Sequence, residues 1–370
     1  MKRKIPITLL LLNSLLLLSV VLIANPFNDT KLTRTTSRSF KVNPDVEVTI
    51  TNKYGKVVVK TWDRSTVKVE ASVTAFGKNN DIVQKLLKRV DLDFEDSERY
   101  VSIETVLDRK SGFFQDIWNS VSDGANIVFN KNRIQINYEL YVPEMAQITI
   151  DNKFGDVILG AMNAPCKIKV AHGNLRAESF KKSSRLHVNF GQASIQYLEE
   201  AVLVVQVGEA NVEAANLLEI NSHSSEISIG SVNELRLNSR NDKIRILKVA
   251  LLSGKTTLSK INIDQFRQDL SLKISFGYIE IREVTSNFGQ IDIDGRLADI
   301  TLRFSPEAYL NWKVKAKEDR ISLPSAAQID HQSYNDKKAT EKEGTLGTKK
   351  SQVGYVSISA EGGHVALRIL

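Results

Sequence analysis

The strongest constraint on this chain is a repeat in its middle. A turn-prone residue followed by alternating apolar and polar positions recurs as GDVIL at Gly155, GNLRA at Gly173, GQASI at Gly191 and GEANV at Gly208. It continues as SEISI at Ser225, DKIRI at Asp242, SKINI at Ser259 and GYIEI at Gly277. The steps are 18, 18, 17, 17, 17, 17 and 18 residues. A second short strand precedes most of these turns, with Ile168 and Val170, Leu186 and Val188, Leu203 and Val205, and Leu272 and Ile274 lying five and three residues before the turn residue. A unit of two short strands and two bends cannot bury an apolar face by itself, so the units must stack on one another.

Side chains alternate between faces along a strand, so stacking predicts continuous interior files. One runs Val157, Leu175, Ala193, Ala210, Ile227, Ile244, Ile261 and Ile279, with a second beside it from Leu159 to Ile281. The expected fold is therefore all-β, a parallel β-helix or β-solenoid of 17–18-residue coils over residues 146–304. Glycine at the turn is read as accepting positive φ, with Asp242 and the serines as polar substitutes. Ser222 and Ser239 stand where inward β-branched residues are expected, which predicts looser packing in the middle coils. After Gly277 the next match, GQIDI at Gly289, comes only twelve residues later and leads into Asp294-Gly295, a hairpin-turn signal at which the stack is expected to close.

Flanking segments divide the rest. Residues 39–145 read as an N-terminal β cap, through VEVTIT, KVVVKT and TVKVEASV, then an amphipathic helix over residues 81–90 in which Ile82, Val83, Leu86, Leu87 and Val90 share a face. This helix is expected to cover an open sheet edge. Within residues 111–131, Phe113, Phe114, Ile117, Trp118 and Val121 recur at helical spacing, a stripe read as packing on its own domain. Residues 305–370 read as C-terminal strands with a mobile loop at 331–352, where no apolar period is present.

The N-terminus carries an address. Lys2, Arg3 and Lys4 precede an apolar run over residues 5–24, followed by Asn25-Pro26. This pattern predicts export, with residues 1–24 either a signal peptide cut after Ala24 or a retained N-terminal membrane anchor, and 25–38 a linker. The expected location is the periplasm or cell surface, tethered to the inner membrane if the helix is kept. Those three cations are part of a net charge of +7, so the remainder is too weakly basic to be a nucleic-acid footprint.

Chemistry-bearing motifs are sparse. Cys166 is the one cysteine, which excludes a disulfide framework and a four-thiolate zinc site. His172, His187 and His223 fall in successive units but at different register positions, and His331 and His364 lie further on, so no metal set is expected. Asp292 and Asp294 before Gly295 lack the remaining ligands of a calcium loop. Arg240, Lys243, Arg245 and Lys260 form a basic cluster near Glu209, Glu213 and Glu226, read as a mixed solvated face. No catalytic, cofactor-binding or metal residue is assigned.

The segments TITNKYGKVVVKTWDRSTVKVEASV, IVQKLLKRV and YELYVPEMAQITIDNKFGDVIL, with the turns at Phe154-Gly155, Phe276-Gly277 and Phe288-Gly289, resemble the bacterial putative-adhesin family, an exported domain of unknown function. The resemblance covers about residues 40–323 and implies a right-handed single-stranded β-helix outside the cytoplasm, with no catalytic residues to carry over. Export and a regular stack together make the expected function that of a non-enzymatic cell-envelope adhesin or scaffold. Its expected partner is an envelope glycan or a surface protein. Two alternatives stay open: a β-helix polysaccharide lyase or glycoside hydrolase, and a membrane-anchored envelope-stress sensor or regulator.

Overall fold

The computed structural model describes residues 30–107, 133–334, 339–348 and 353–370. The expected export helix at residues 5–24, the aromatic stripe at 111–131 and parts of the 331–352 segment lie outside the described residues. Among the described residues, no helix is long and apolar enough to cross a membrane.

The repeat stacks into a β-solenoid. Leu175 lies in register between Val157 and Ala193, and Ala177 between Leu159 and Ile195. Both files continue coil by coil, from Tyr138 and Leu140 through Val57 and Val59 to Val365 and Leu367. Every member is buried. At about 1.5–3 kcal/mol for each fully buried Val, Leu or Ile, these files are a principal source of stability.

The bend between the two strands of each coil is built differently from the sequence reading. Among the described residues, ten that are not glycine have positive φ, and all occupy one register position: Tyr54, Phe154, His172, Phe190, Val207, Ser224, Asn241, Leu258, Phe276 and Leu297. The left-handed conformation is thus taken by the residue before the glycine. Glycine follows for want of space, since a Cβ on Gly173 would sit 2.1 Å from the carbonyl oxygen of Gly155 and one on Gly191 1.9 Å from that of Gly173.

Where Ser225, Asp242 and Ser259 replace this glycine, their side chains are buried and hydrogen-bonded, so the expected loosening is not found. Asp242 accepts from the Ser225 and Arg240 backbone N–H groups at 2.7 and 3.0 Å, and from the Ser222 and Ser239 hydroxyls at 2.7 and 2.6 Å. Ser239 and Ser259 hydroxyls lie 2.8 Å apart. The serines that interrupt the apolar file are the donors this carboxylate needs.

At both ends, order in space departs from order in the chain. The coil Glu47–Lys53 and Val57–Trp62 lies between Gln147–Lys153 with Val157–Met162 and the later strands Tyr100–Leu107 and Arg133–Pro143. At the far end, Gly354–Glu361 and Val365–Ile369 slip between Gln290–Arg296 with Asp299–Phe304 and the earlier strands Leu310–Lys317 and Ile321–Ser322. The stack therefore extends beyond residues 146–304 in both directions. It does not close at Asp294-Gly295: Gly295 is inside a strand, paired with Ile274 and Ala360, and the bend falls at Leu297.

Antiparallel strands finish each end. Thr30–Lys41 pairs with Thr66–Gly77, which pairs with Arg133–Pro143. Gln328–Tyr334 pairs with Ala339–Leu346, which pairs with Leu310–Lys317. Residues 30–38, read as linker, and the described part of 331–352, read as loop, are thus largely strand. Gln328–Tyr334 has no buried side chain and Thr30–Lys41 has only Phe40. Such outermost strands have almost no core face, so the alternation that identifies inner strands is missing from their sequence. The helix Asn80–Lys88 starts at Asn79, whose side chain accepts from the Ile82 N–H at 3.0 Å, and buries Val83 and Leu86 against Ala75.

Candidate functional site: a groove across the stacked strands

Every coil also sends side chains outward, and their register makes a surface. On the sheet formed by the first strand of each coil, the outward residues Glu219, Arg236, Ser253, Ser271, Asp292, Ser357, Lys313 and Glu343 fall in one file. Serine lowers three positions of this file, at Ser253, Ser271 and Ser357. On one side stand Leu251, Asp269, Gln290, Tyr355 and Asn311, and on the other Asn238, Lys255, Lys273 and Asp294. A low file between two taller ones is a groove running across the strands.

Three adjoining hollows mark its course. One of about 470 Å³ is lined by Asn221, Arg236, Asn238, Lys255 and Lys273 among others. It shares Ser253 and Ser271 with a second of about 460 Å³, bounded by Glu234 and Asp269. The second shares Gln290 and Asp292 with a third of about 600 Å³, which reaches Asn311, Lys313, Asp330, Glu343 and Tyr355. Adjacent strands lie about 4.8 Å apart, so the nine strands that contribute give a length of about 38 Å.

Charge is unevenly spread along it. Arg236, paired with Glu234 at 2.7 Å, gathers with Lys255 and Lys273 beside Glu219 at one end, and Asp292, Asp330 and Glu343 gather beside Lys313 at the other. Lys313 bonds Glu341 at 2.6 Å, which holds its ammonium above the usual lysine range and the Glu341 carboxyl below the usual carboxylate range. Neutral donors and acceptors fill the intervals: Asn221, Asn238, Gln290, Asn311 and the three serines.

A second surface feature follows the bends. Tyr54, Phe154, His172 and Phe190 stack ring on ring, with centroids 5.3, 4.9 and 4.8 Å apart and planes within 12°, 4° and 3°. Neighbouring coils hold the rings face to face, so this ladder presents edges to solvent. The exposed ridge passes through Val207, changes to Ser224 and Asn241, and becomes apolar again at Leu258, Phe276 and Leu297.

The residues singled out in the sequence do not converge. His172 belongs to the ring ladder, His187 bonds Asn189 at 3.0 Å, His223 lies 3.4 Å from the Ser224 hydroxyl, His331 pairs across strands with Glu343, and His364 contacts Arg320. Glu209, Glu226, Lys243 and Lys260 form one outward file of two acids beside two bases, while Arg240 is on the other sheet with His223 and Thr257. Among the described residues, no group of three or more His, Cys, Asp or Glu is arranged to hold a metal ion. Burial pushes the Cys166 thiol up to about 12, which removes it as a nucleophile near neutral pH. Asp292 does reach a shared site, but as part of the groove. The groove itself was missed because its walls and floor come from different coils; the signal available was serine recurring at one outward register position.

No family model matches the chain, and no curated protein matches it. Solved structures do. A putative adhesin from Parabacteroides merdae has 13% identity over 90% of this chain and 96% of its own, with a TM-score of 0.31. A putative adhesin from Parabacteroides distasonis has 17% identity over 73% of this chain and 93% of its own, with a TM-score of 0.30. A structure from the same organism titled a putative lipid binding protein has 12% identity over 91% and 96%, with a TM-score of 0.31. Adhesin-named proteins are among these neighbours.

Proposed function

We propose that this chain is a non-enzymatic protein of the bacterial cell envelope, exported by its N-terminal segment, which works as an adhesin or scaffold by offering its solenoid surface to a partner. The observation that carries this reading is the groove: a surface about 38 Å long, lined mainly by polar and charged residues and fixed by inter-coil register, with no histidine or thiol among its described lining residues. A surface of this kind binds by many small contacts along an extended partner. Pull-down with the full chain from isolated envelopes is expected to retain a glycan or surface-protein partner. Recovery of nothing above a control protein would overturn the proposal.

One observation favours a second reading, a glycoside hydrolase. Asp269 and Asp292 line the same hollow, and paired carboxylates are the usual machinery for cleaving a glycosidic bond. New reducing ends from a polysaccharide incubated with the chain, abolished by Asp292→Asn, would establish it in place of the first.

A further inference from the structure

We infer that the groove binds a linear, uncharged, hydroxyl-rich polysaccharide, laid along the solenoid axis across the strands. This deepens the functional reading above and rests on it. The first argument is chemical. The floor and walls offer both donors and acceptors, the hydroxyls of Ser253, Ser271 and Ser357 and the amides of Gln290 and Asn311, which is what a row of sugar hydroxyls requires.

The second argument is electrostatic. A polyanion would be drawn to the Lys255 and Lys273 end and repelled at the Asp292 and Asp330 end, and a polycation would meet the reverse. An uncharged chain pays neither penalty.

The third excludes the commonest way in which a sheet binds a peptide. Strand addition needs free backbone N–H and C=O groups, yet strands such as those at Ser253, Ser271 and Asp292 have neighbours in register on both sides. What remains available is side chains. Tyr355 in the wall is 56% exposed, and its ring is stacked on no other among the described residues, leaving a face for the apolar side of a pyranose.

Titration calorimetry of the full chain with cellohexaose, maltohexaose, chitohexaose and hexagalacturonate tests the inference. At least one neutral hexasaccharide is expected to bind and hexagalacturonate is not. Ser271→Trp, which fills the floor, and Tyr355→Ala are each expected to weaken binding about tenfold or more. Both side chains are exposed, so unchanged unfolding midpoints will separate lost contact from lost fold. Phe190→Ser, on the ridge away from the groove, is expected to leave affinity unchanged. Failure of all three neutral sugars to bind, preference for hexagalacturonate, or full affinity in Ser271→Trp would overturn the assignment. A chain that still captures an envelope partner while binding none of these sugars loses this inference alone; a chain that captures nothing loses the functional proposal too.

Discussion

The Asp242 carboxylate accepts a hydrogen bond from the backbone N–H of Ser225, one coil away, at 2.7 Å. That contact and the one from the Ser222 hydroxyl tie neighbouring coils at the place where the glycine of the repeat is absent, while Ser239 and Arg240 of the same coil bond the carboxylate locally. Asp242→Ala would leave two hydroxyls and two backbone N–H groups without their acceptor, and is expected to cost about 3 kcal/mol or more in denaturant unfolding. Asp242→Asn keeps one acceptor oxygen and should cost less. Equal stability of all three proteins would contradict the assigned network.

Two glycines separate crowding from chain flexibility. Gly173→Ala would place a Cβ against the Gly155 carbonyl, a backbone atom that cannot swing aside, whereas Gly160 has nothing within 4 Å of the equivalent point. The first is expected to destabilise by about 2 kcal/mol or more. The second, inside a strand, should gain about 0.5 kcal/mol. Matched urea melts check the difference, and the order is the test.

The ring ladder predicts a smaller effect. His172 lies between Phe154 and Phe190, so His172→Ala removes two stacked contacts and should cost about 1–2 kcal/mol. His172→Phe retains the stack and should recover most of that loss. Stability that falls equally in both variants would mean that the imidazole, not the stacking, matters.

Alkaline pH should weaken the fold. Burial pushes both the Cys166 thiol and the Tyr138 hydroxyl up to about 12, from ordinary values of 9.0 and 10.0. Above about pH 9 the unfolded chain releases protons that the folded chain retains, so it binds fewer of them and stability declines as pH rises. Unfolding free energy measured from pH 8 to 11 should fall across that range. Cys166 should also resist thiol reagents at pH 8 until the chain is denatured; rapid labelling of the native protein would contradict its burial.

Much of this architecture is readable in the chain because each coil repeats the same local chemistry. The files through Leu175 and Ala177 follow from alternation and step length alone. Positive φ falls on His172 rather than on Gly173, because sequence shows that glycine is needed and not why: the crowding at Gly173 comes from a carbonyl eighteen residues earlier. GQIDI at Gly289 misled for a similar reason, since it repeats the pattern of the second strand while forming the first strand of its coil. The exchange of coil order at both ends leaves no local trace, as the position of Gly354–Glu361 is fixed by partners from distant parts of the chain. The groove is equally non-local, because Ser253, Ser271 and Ser357 become neighbours of one surface only after stacking.

Cysteine cross-linking tests the inter-coil register most directly. Ser194 and Asn211 are register partners on adjacent coils, both exposed, and about 4.8 Å apart by strand spacing. Ser194 and Ser228 are two coils apart, at about 9.6 Å by the same spacing. A disulfide needs Cα atoms within about 7 Å. Mild oxidation of the dilute full chain, read by peptide mass spectrometry, should therefore close the bond in Ser194→Cys with Asn211→Cys and leave Ser194→Cys with Ser228→Cys reduced. A first pair that stays reduced, or a second pair that closes as readily, would contradict the stacking on which the rest depends.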